Sequence, residues 1–168
     1  YIKMRPLLLL NLILFSVISY AQDSARQGKL DARILSIYHG LADIPPFATQ
    51  LFCELPPTRN QDGMPVVFSV QVDSATITPN AFAVGLSSGE TVTPLCATLR
   101  PAVESLEQRT VLLIGAFSPG DSVPVSVEIV EQLEDVNGLS LLGLKSESVT
   151  SLTAGPSLVL AERFKPNN

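Results

Sequence analysis

His39 is the only histidine of the chain and therefore the only candidate for a histidine base. A serine hydrolase needs a nucleophile, a base that takes its proton and an acid that orients the base. The stretch from Gly138 to Leu142 lacks the second glycine of a nucleophile elbow. His39 also precedes Gly40, a setting typical of a turn or of a partly buried position. The pattern favours a structural role for His39, with ligand contact as the alternative.

Two groups of carboxylates lie close enough in sequence to act together on a glycan, one as acid and one as base or nucleophile. The first group is Glu104 and Glu107, and the second is Glu131, Glu134 and Asp135. The second group flanks Asn137-Gly138, which is a strong turn signal. Charged side chains beside such a turn normally point to water, so we expect a solvated surface there.

Calcium is the metal that suits this chain best, because it prefers oxygen ligands and is abundant outside cells. Loop oxygens are available from Asp62, from Asp73 and from residues 134–138, but their spacing does not match a helix–loop–helix calcium site. Two separated cysteines and one histidine do not supply the usual zinc ligands. We expect no metal site and no cofactor, with calcium as the alternative.

The two cysteines, Cys53 and Cys96, are expected to form a disulfide bond. In the chain-entropy view, closing a loop of that length stabilises the fold by about 4 kcal/mol. Two buried free thiols are the alternative. A cysteine nucleophile near His39 would need a free thiol of low pKa, and the disulfide would remove it.

The N-terminal residues have the layout of a secretory signal peptide, here assigned to residues 4–21. Arg5 precedes an apolar run from Leu7 to Ile18, which is short for a membrane span, and small residues precede Gln22. Cleavage would leave residues 22–168 with a formal charge of −7, because Lys3 and Arg5 are lost from a chain of −5. We therefore expect a secreted, periplasmic or cell-surface protein with no membrane span after cleavage and no nucleic-acid partner.

Alternating apolar residues predict an all-β fold for the rest of the chain. Residues 22–29 read as a polar leader, and residues 30–165 as one domain. The strand patterns are Phe68/Val70/Val72, Phe82/Val84/Leu86, Val123/Val125/Val127/Ile129, the apolar run 110–117 and the segment 157–161. Residues 31–41 fit a helix or a strand, and the surrounding pattern favours a strand. The 13 prolines argue against long helices, and residues 44–63 read as a long Pro-rich loop held by Cys53. We expect an antiparallel β-sandwich of about seven strands.

The stretch from Val66 to Leu86 resembles the opening strands of bacterial Ig-like domains of the surface-layer and adhesin type. The matching residues, in order, are Phe68-Ser69, Val72-Asp73, Thr76-Ile77-Thr78-Pro79 and Phe82-Ala83-Val84. The resemblance implies an Ig-like sandwich at a cell surface or in secretion. It implies no catalytic residue. Asp73 and Thr76 are expected to hydrogen-bond the backbone of the turn.

Four side chains are candidates for ligand contact: His39, Asp62, Arg100 and Arg109. Arg100 could clasp a neighbouring loop or form a contact surface, and Arg109 could pair with Glu107 or with a loop carboxylate. The favoured function is an exported binding or structural module that recognises a protein or a glycan through loops or a sheet edge. A small secreted hydrolase and a surface subunit that assembles by strand exchange are the alternatives, and an enzymatic role is not favoured.

Overall fold

The structure is a computed structural model that describes residues 32–104 and 107–155. The predicted signal peptide, the predicted polar leader and the strand expected at residues 157–161 lie outside these residues. The described residues belong to one compact unit. Within them, no helix has the length and the apolar character that crossing a bilayer requires.

The described part of the chain contains nine short β-strands and one α-helix. The strands are β1 Ile34–His39, β2 Asp62–Phe68, β3 Phe82–Leu86, β4 Thr91–Val92, β5 Cys96–Thr98, β6 Thr110–Gly115, β7 Pro124–Ile129, β8 Lys145–Ser146 and β9 Val149–Ser151. The helix, α1, is Phe47–Cys53. The all-β prediction is confirmed, including the strand favoured within residues 31–41. The number of strands exceeds the expected seven because several two- and three-residue strands carry no readable pattern.

The strands form two sheets, as a sandwich requires. The five-stranded sheet has the order β5-β6-β2-β1-β9, and the four-stranded sheet has the order β4-β3-β7-β8. Neighbouring strands are antiparallel except β1 and β9, which run parallel with Ile37 opposite Val149. The parallel pair departs from the antiparallel pairing expected throughout. The Ig-like topology stays a prediction.

The core lies between the inward faces of the two sheets. In β3 the burial alternates as the sequence predicts, with Phe82, Val84 and Leu86 buried. These residues meet the inward residues of the other sheet, among them Phe68 of β2 and Leu113 of β6, which are fully buried in the same cluster. Burying a side chain of this size stabilises the fold by about 1.5–3 kcal/mol relative to leaving it exposed. Alternating apolar residues on both sheets therefore produce the two-layer structure.

The strand expected around Phe68, Val70 and Val72 begins and ends earlier than predicted. It runs from Asp62 to Phe68, and Val72 forms only an isolated bridge with Asp135. The strand ends there because its neighbour β6 starts at Thr110, which lies opposite Val67 in β2. Beyond that point the ladder has no partner strand. The inward orientation is nevertheless confirmed, since Val72 is fully buried and Val70 packs against the core.

An irregularity in β7 reverses the faces of its first residues. The register with β3 shifts between Gly85, opposite Ser126, and Leu86, opposite Pro124, so one extra residue is inserted at Val125. Val125 is 42% exposed and Val123 is also exposed, whereas Val127 is fully buried. The expectation that all four apolar residues of this segment alternate on one buried face is therefore wrong for the first two.

Asp135 is buried, which corrects the expectation of a solvated surface around the Asn137-Gly138 turn. Its Oδ1 atom accepts hydrogen bonds from the backbone N–H groups of Asn137 and Leu139, both at 2.8 Å. Gly138 has a φ of 80°, a conformation that glycine adopts without strain. The turn itself is confirmed, and Asp135 is buried because the turn backbone satisfies its carboxylate.

Asp73 and Thr76 hydrogen-bond the turn backbone, as expected from the sequence. The Asp73 Oδ1 atom accepts the N–H of Ala75 at 2.9 Å. The hydroxyl of Thr76 donates to the Asp73 carbonyl at 2.9 Å and accepts the N–H of Glu134 at 3.1 Å. The bond to Glu134 connects this turn to the loop that contains Asp135.

The outer strands of both sheets are very short. Among the described residues, β4 and β8 have two residues each, and β5 and β9 have three each. Lys145 of β8 forms an ion pair with Glu147 at 3.1 Å, and this hydrogen-bonded carboxylate raises the pKa of Lys145. Short edges with a charged residue offer little backbone for pairing with another sheet.

Because of the irregularity at Val125, we expect the same substitution at two valines of β7 to change stability by different amounts. Val127→Thr should lower the free energy of unfolding by about 1–3 kcal/mol, because it buries a hydroxyl in an apolar core. Val125→Thr should change that free energy by less than about 0.5 kcal/mol, because the side chain contacts solvent. Urea unfolding of both variants measures the difference. Equal losses for the two variants would contradict the register.

Candidate functional site

Helix α1 lies inside the segment that the sequence predicts to be a long loop, and this corrects that prediction. The proline pairs 45–46 and 56–57 border the helix instead of preventing it, because proline is tolerated at the start of a helix and after its end. At the C-terminus, Glu54 adopts a left-handed conformation with a φ of 58°. The N–H of Glu54 bonds the carbonyl of Gln50, and the N–H of Leu55 bonds that of Thr49, both at 3.2 Å. This paired arrangement ends the helix.

Thr49 anchors the buried side of α1. It is fully buried, and its hydroxyl oxygen lies 2.8 Å from the Pro46 carbonyl oxygen and 2.9 Å from that of Pro56. The same hydroxyl accepts the N–H of Thr58 at 3.0 Å. One side chain therefore connects the start of the helix to the proline pair that follows it.

The disulfide bond between Cys53 and Cys96 is present, and it confirms the predicted pairing. Its Cα atoms are 6.0 Å apart, which lies within the usual range. Cys53 is the last residue of α1, and Cys96 is the first residue of β5. The bond therefore holds the C-terminal end of the helix against the edge of the five-stranded sheet.

Arg100 joins the same end of the helix to the loop that follows β5. Its guanidinium donates one hydrogen bond to the Leu51 carbonyl at 3.1 Å and another to Glu54 Oε1 at 3.0 Å. A cation at the last carbonyls of a helix also interacts favourably with the helix dipole. Both charged side chains are partly exposed, so this ion pair adds little stability and mainly sets orientation. The loop clasp expected of Arg100 is observed.

The outward side of α1 carries two large exposed apolar side chains beside the exposed Gln50. Phe47 and Leu51, one helical turn apart, are 61% and 56% exposed. Val103, on the loop after β5, is 54% exposed. Residues of the helix and of this loop line one cavity of about 340 Å³. They are Leu51, Phe52, Arg100, Pro101 and Val103. We call these five residues together with Phe47 the α1 face.

Two further cavities adjoin the α1 face, and Arg100 lines all three. One, of about 270 Å³, includes Ile77, Leu99 and Val103 in its wall. The other, of about 360 Å³, includes the disulfide and Leu95. Arg100 therefore lies at the centre of a group of three neighbouring cavities around the end of α1.

The remaining candidate residues lie on other elements and have partners of their own. His39 is the last residue of β1, and its Cα lies opposite that of Ser151. The side chain of Asp62, at the start of β2, accepts the N–H of Asp43 at 3.3 Å. Arg109, just before β6, donates a hydrogen bond to the Ser69 carbonyl. Ligand contact by these residues stays a prediction.

The described residues contain no group of three histidine, cysteine or acidic side chains placed to hold a metal ion. The one buried acid of the 134–138 segment, Asp135, already accepts the turn N–H groups.

The sequence analysis missed Phe47, Leu51 and Val103. A signal for the first two was present, since they are apolar and four residues apart between two proline pairs. No local pattern marks Val103, because its exposure follows from the position of its loop beside α1.

We expect removal of the buried Thr49 hydroxyl to destabilise the segment around α1. Thr49→Val keeps the shape of the side chain but leaves the N–H of Thr58 and the Pro56 carbonyl without this partner. The free energy of unfolding should fall by about 1–3 kcal/mol, and the Thr58 amide should exchange with solvent faster. Thr58→Val is the control, because it removes the bond of the half-buried Thr58 hydroxyl to the Pro56 carbonyl but keeps the bond of the Thr58 amide to Thr49. Unchanged exchange of the Thr58 amide in Thr49→Val would contradict the assignment.

We expect removal of the disulfide to destabilise the whole fold, and by more than Thr49→Val does. The variant Cys53→Ser/Cys96→Ser frees a loop with a sequence separation of 43. The free energy of unfolding should fall by about 4 kcal/mol in guanidinium denaturation. The wild-type protein in excess dithiothreitol should behave like the double variant. A loss below about 1 kcal/mol in both would show that the bond contributes little to the fold.

No protein-family model matches the chain, and no curated protein matches it. Two solved structures are similar to it. The crystal structure of the S-layer protein rSbsC(31-844) has 19% sequence identity and a TM-score of 0.44, over 80% of this chain and 16% of that one. The crystal structure of the N-terminal part of the bacterial S-layer protein SbsC has 17% identity and a TM-score of 0.41, over 77% of this chain and 26% of that one. This chain thus spans about a sixth and about a quarter of the two solved chains, and the likeness assigns it no role.

Proposed function

We propose that this protein is an exported, non-catalytic β-sandwich that binds a partner macromolecule through the α1 face. The observation that carries the proposal is the exposure of Phe47 and Leu51 on a helix that three separate interactions hold in place. Thr49 holds the buried side, and the Cys53–Cys96 bond and Arg100 hold the C-terminal end.

Exposed apolar side chains that are rigidly held are typical of contact surfaces. Exposed apolar residues scattered singly need no explanation, but neighbouring ones around a groove mark interaction sites. The α1 face joins residues of the helix to residues of the loop after β5 around one cavity. A surface that is already ordered loses little conformational entropy on binding, which favours affinity.

The location outside the cytoplasm rests on the disulfide and on the predicted signal peptide. Disulfide bonds form and persist in secreted, periplasmic and cell-surface proteins, and they are rare in the cytosol. We propose the same set of locations for this protein.

The alternatives receive less support than binding through the α1 face. Assembly by strand exchange needs a long free edge, and the described edge strands have only two or three residues. A hydrolase would need a group that orients His39 as a base. The cavities around the end of α1 are lined by residues other than His39.

Site-specific photo-crosslinking on intact cells tests the proposal. A photoreactive amino acid replaces Leu51 in one variant and Val136, which is 49% exposed on the turn between β7 and β8, in the control variant. We expect one defined adduct from position 51 and none from position 136, with partner identity read by mass spectrometry. Leu51→Ser and Phe47→Ser should each reduce retention of the protein on the cells.

Two outcomes would overturn the proposal. The same adducts from both positions, or no adduct from position 51 with full retention of the two serine variants, would show that the α1 face is not a binding surface. Circular dichroism of each variant shows that it is folded.

A further inference from the structure

We infer that the partner presents to the α1 face a segment with apolar side chains flanked by lysine or arginine. This inference rests on the proposed function and adds the chemistry of the partner. It follows from two features of the site, namely the exposed apolar side chains beside Arg100 and the charge of the molecule around them.

One apolar depression lies beside Arg100, with a wall of Leu51, Phe52, Pro101 and Val103 around about 340 Å³. A neighbouring cavity of about 270 Å³ has a mixed lining, in which Ile77 and Leu99 lie beside polar residues such as Gln108. Sites for small molecules typically enclose about 300–1,000 Å³, so the first volume lies at the low end of that range and the second lies below it. The apolar depression suits an apolar side chain of a peptide segment better than one extended ligand.

The charge of the described body is strongly negative. It contains 13 aspartates and glutamates against five lysines and arginines, a formal charge of −8. At the α1 face itself, Arg100 is paired with Glu54, so its charge is compensated. The exposed carboxylate of Glu104 follows Val103 directly. A partner that approaches the groove therefore meets a negative potential.

The negative potential favours some partners of the α1 face over others. A second copy of the chain would bring the same negative charge to the contact and place like carboxylates near each other, which costs energy. A segment with cationic residues beside its apolar anchors gains attraction during approach and at the rim. Because exposed charges are screened by salt, binding should weaken as ionic strength rises.

Binding of defined peptides tests the inference. The probes are fluorescein-labelled peptides with two leucines, placed two or four positions apart, flanked on both sides by lysines, serines or glutamates. At low salt we expect the best lysine-flanked peptide to bind at least about tenfold more tightly than its glutamate-flanked equivalent, with the serine-flanked peptide between them. Raising the salt should reduce this difference. Fluorescence anisotropy measures each affinity.

Variants of the protein locate the binding. Leu51→Ser and Val103→Ser should each weaken the lysine-flanked peptide about tenfold, since each removes apolar contact area worth roughly 1.4 kcal/mol or more. Val136→Ser is the matched control and should leave the affinity unchanged. Thermal unfolding followed by circular dichroism verifies that the three variants are folded.

Four results would overturn the inference. They are equal affinity for lysine- and glutamate-flanked peptides, an affinity that Leu51→Ser and Val103→Ser do not change, no binding of any lysine-flanked peptide, and self-association in sedimentation that Leu51→Ser abolishes. None of the first three removes the proposed function, because crosslinking from position 51 would still identify a partner of different chemistry. Failure of the crosslinking itself would remove the proposed function and this inference together.

Discussion

The covalent bond between Cys53 and Cys96 is the constraint on which the α1 face depends. A helix of seven residues is too short to be stable by itself, because the cost of forming its first turn exceeds what so few hydrogen bonds return. The disulfide attaches this helix to a strand of the sandwich, so the helix takes its order from the sheet. Arg100 and Thr49 then determine which side of the helix meets the protein and which meets solvent.

Alternation of apolar residues predicts the buried face of a strand well when that strand itself contains no inserted residue. In β3, the three residues Phe82, Val84 and Leu86 are buried as the pattern indicates. In β7, the same kind of pattern gives the wrong face for Val125, because the extra residue is a property of how β7 pairs with β3. No residue within β7 announces that insertion, so a single sequence does not contain it in readable form.

Only two features of the candidate site were predictable from the sequence, namely the disulfide bond and the contact of Arg100 with a neighbouring loop. The disulfide follows from cysteine count, and the role of Arg100 follows from its position soon after Cys96. Helix α1 was hidden because four prolines on its two sides dominate the composition of the segment. The role of Thr49 could not be read at all, since its hydroxyl partners Pro56 and Thr58 are brought to it only by the turn after the helix. Asp135 was misread for a related reason, because its burial depends on backbone groups of a turn and not on an opposite charge.

The parallel pairing of β1 with β9 has a consequence for how the chain acquires its structure. The pair joins Ile37 to Val149, so the five-stranded sheet is complete only after more than a hundred intervening residues have emerged. Contacts between distant parts of a chain must repay the entropy of closing a large loop, and proteins rich in them fold slowly. For a chain that is exported as proposed, slow folding is an advantage, because the polypeptide stays extended long enough to be threaded through a translocation channel. If the chain is exported in this way, the sandwich and its disulfide form on the far side, where oxidants are present.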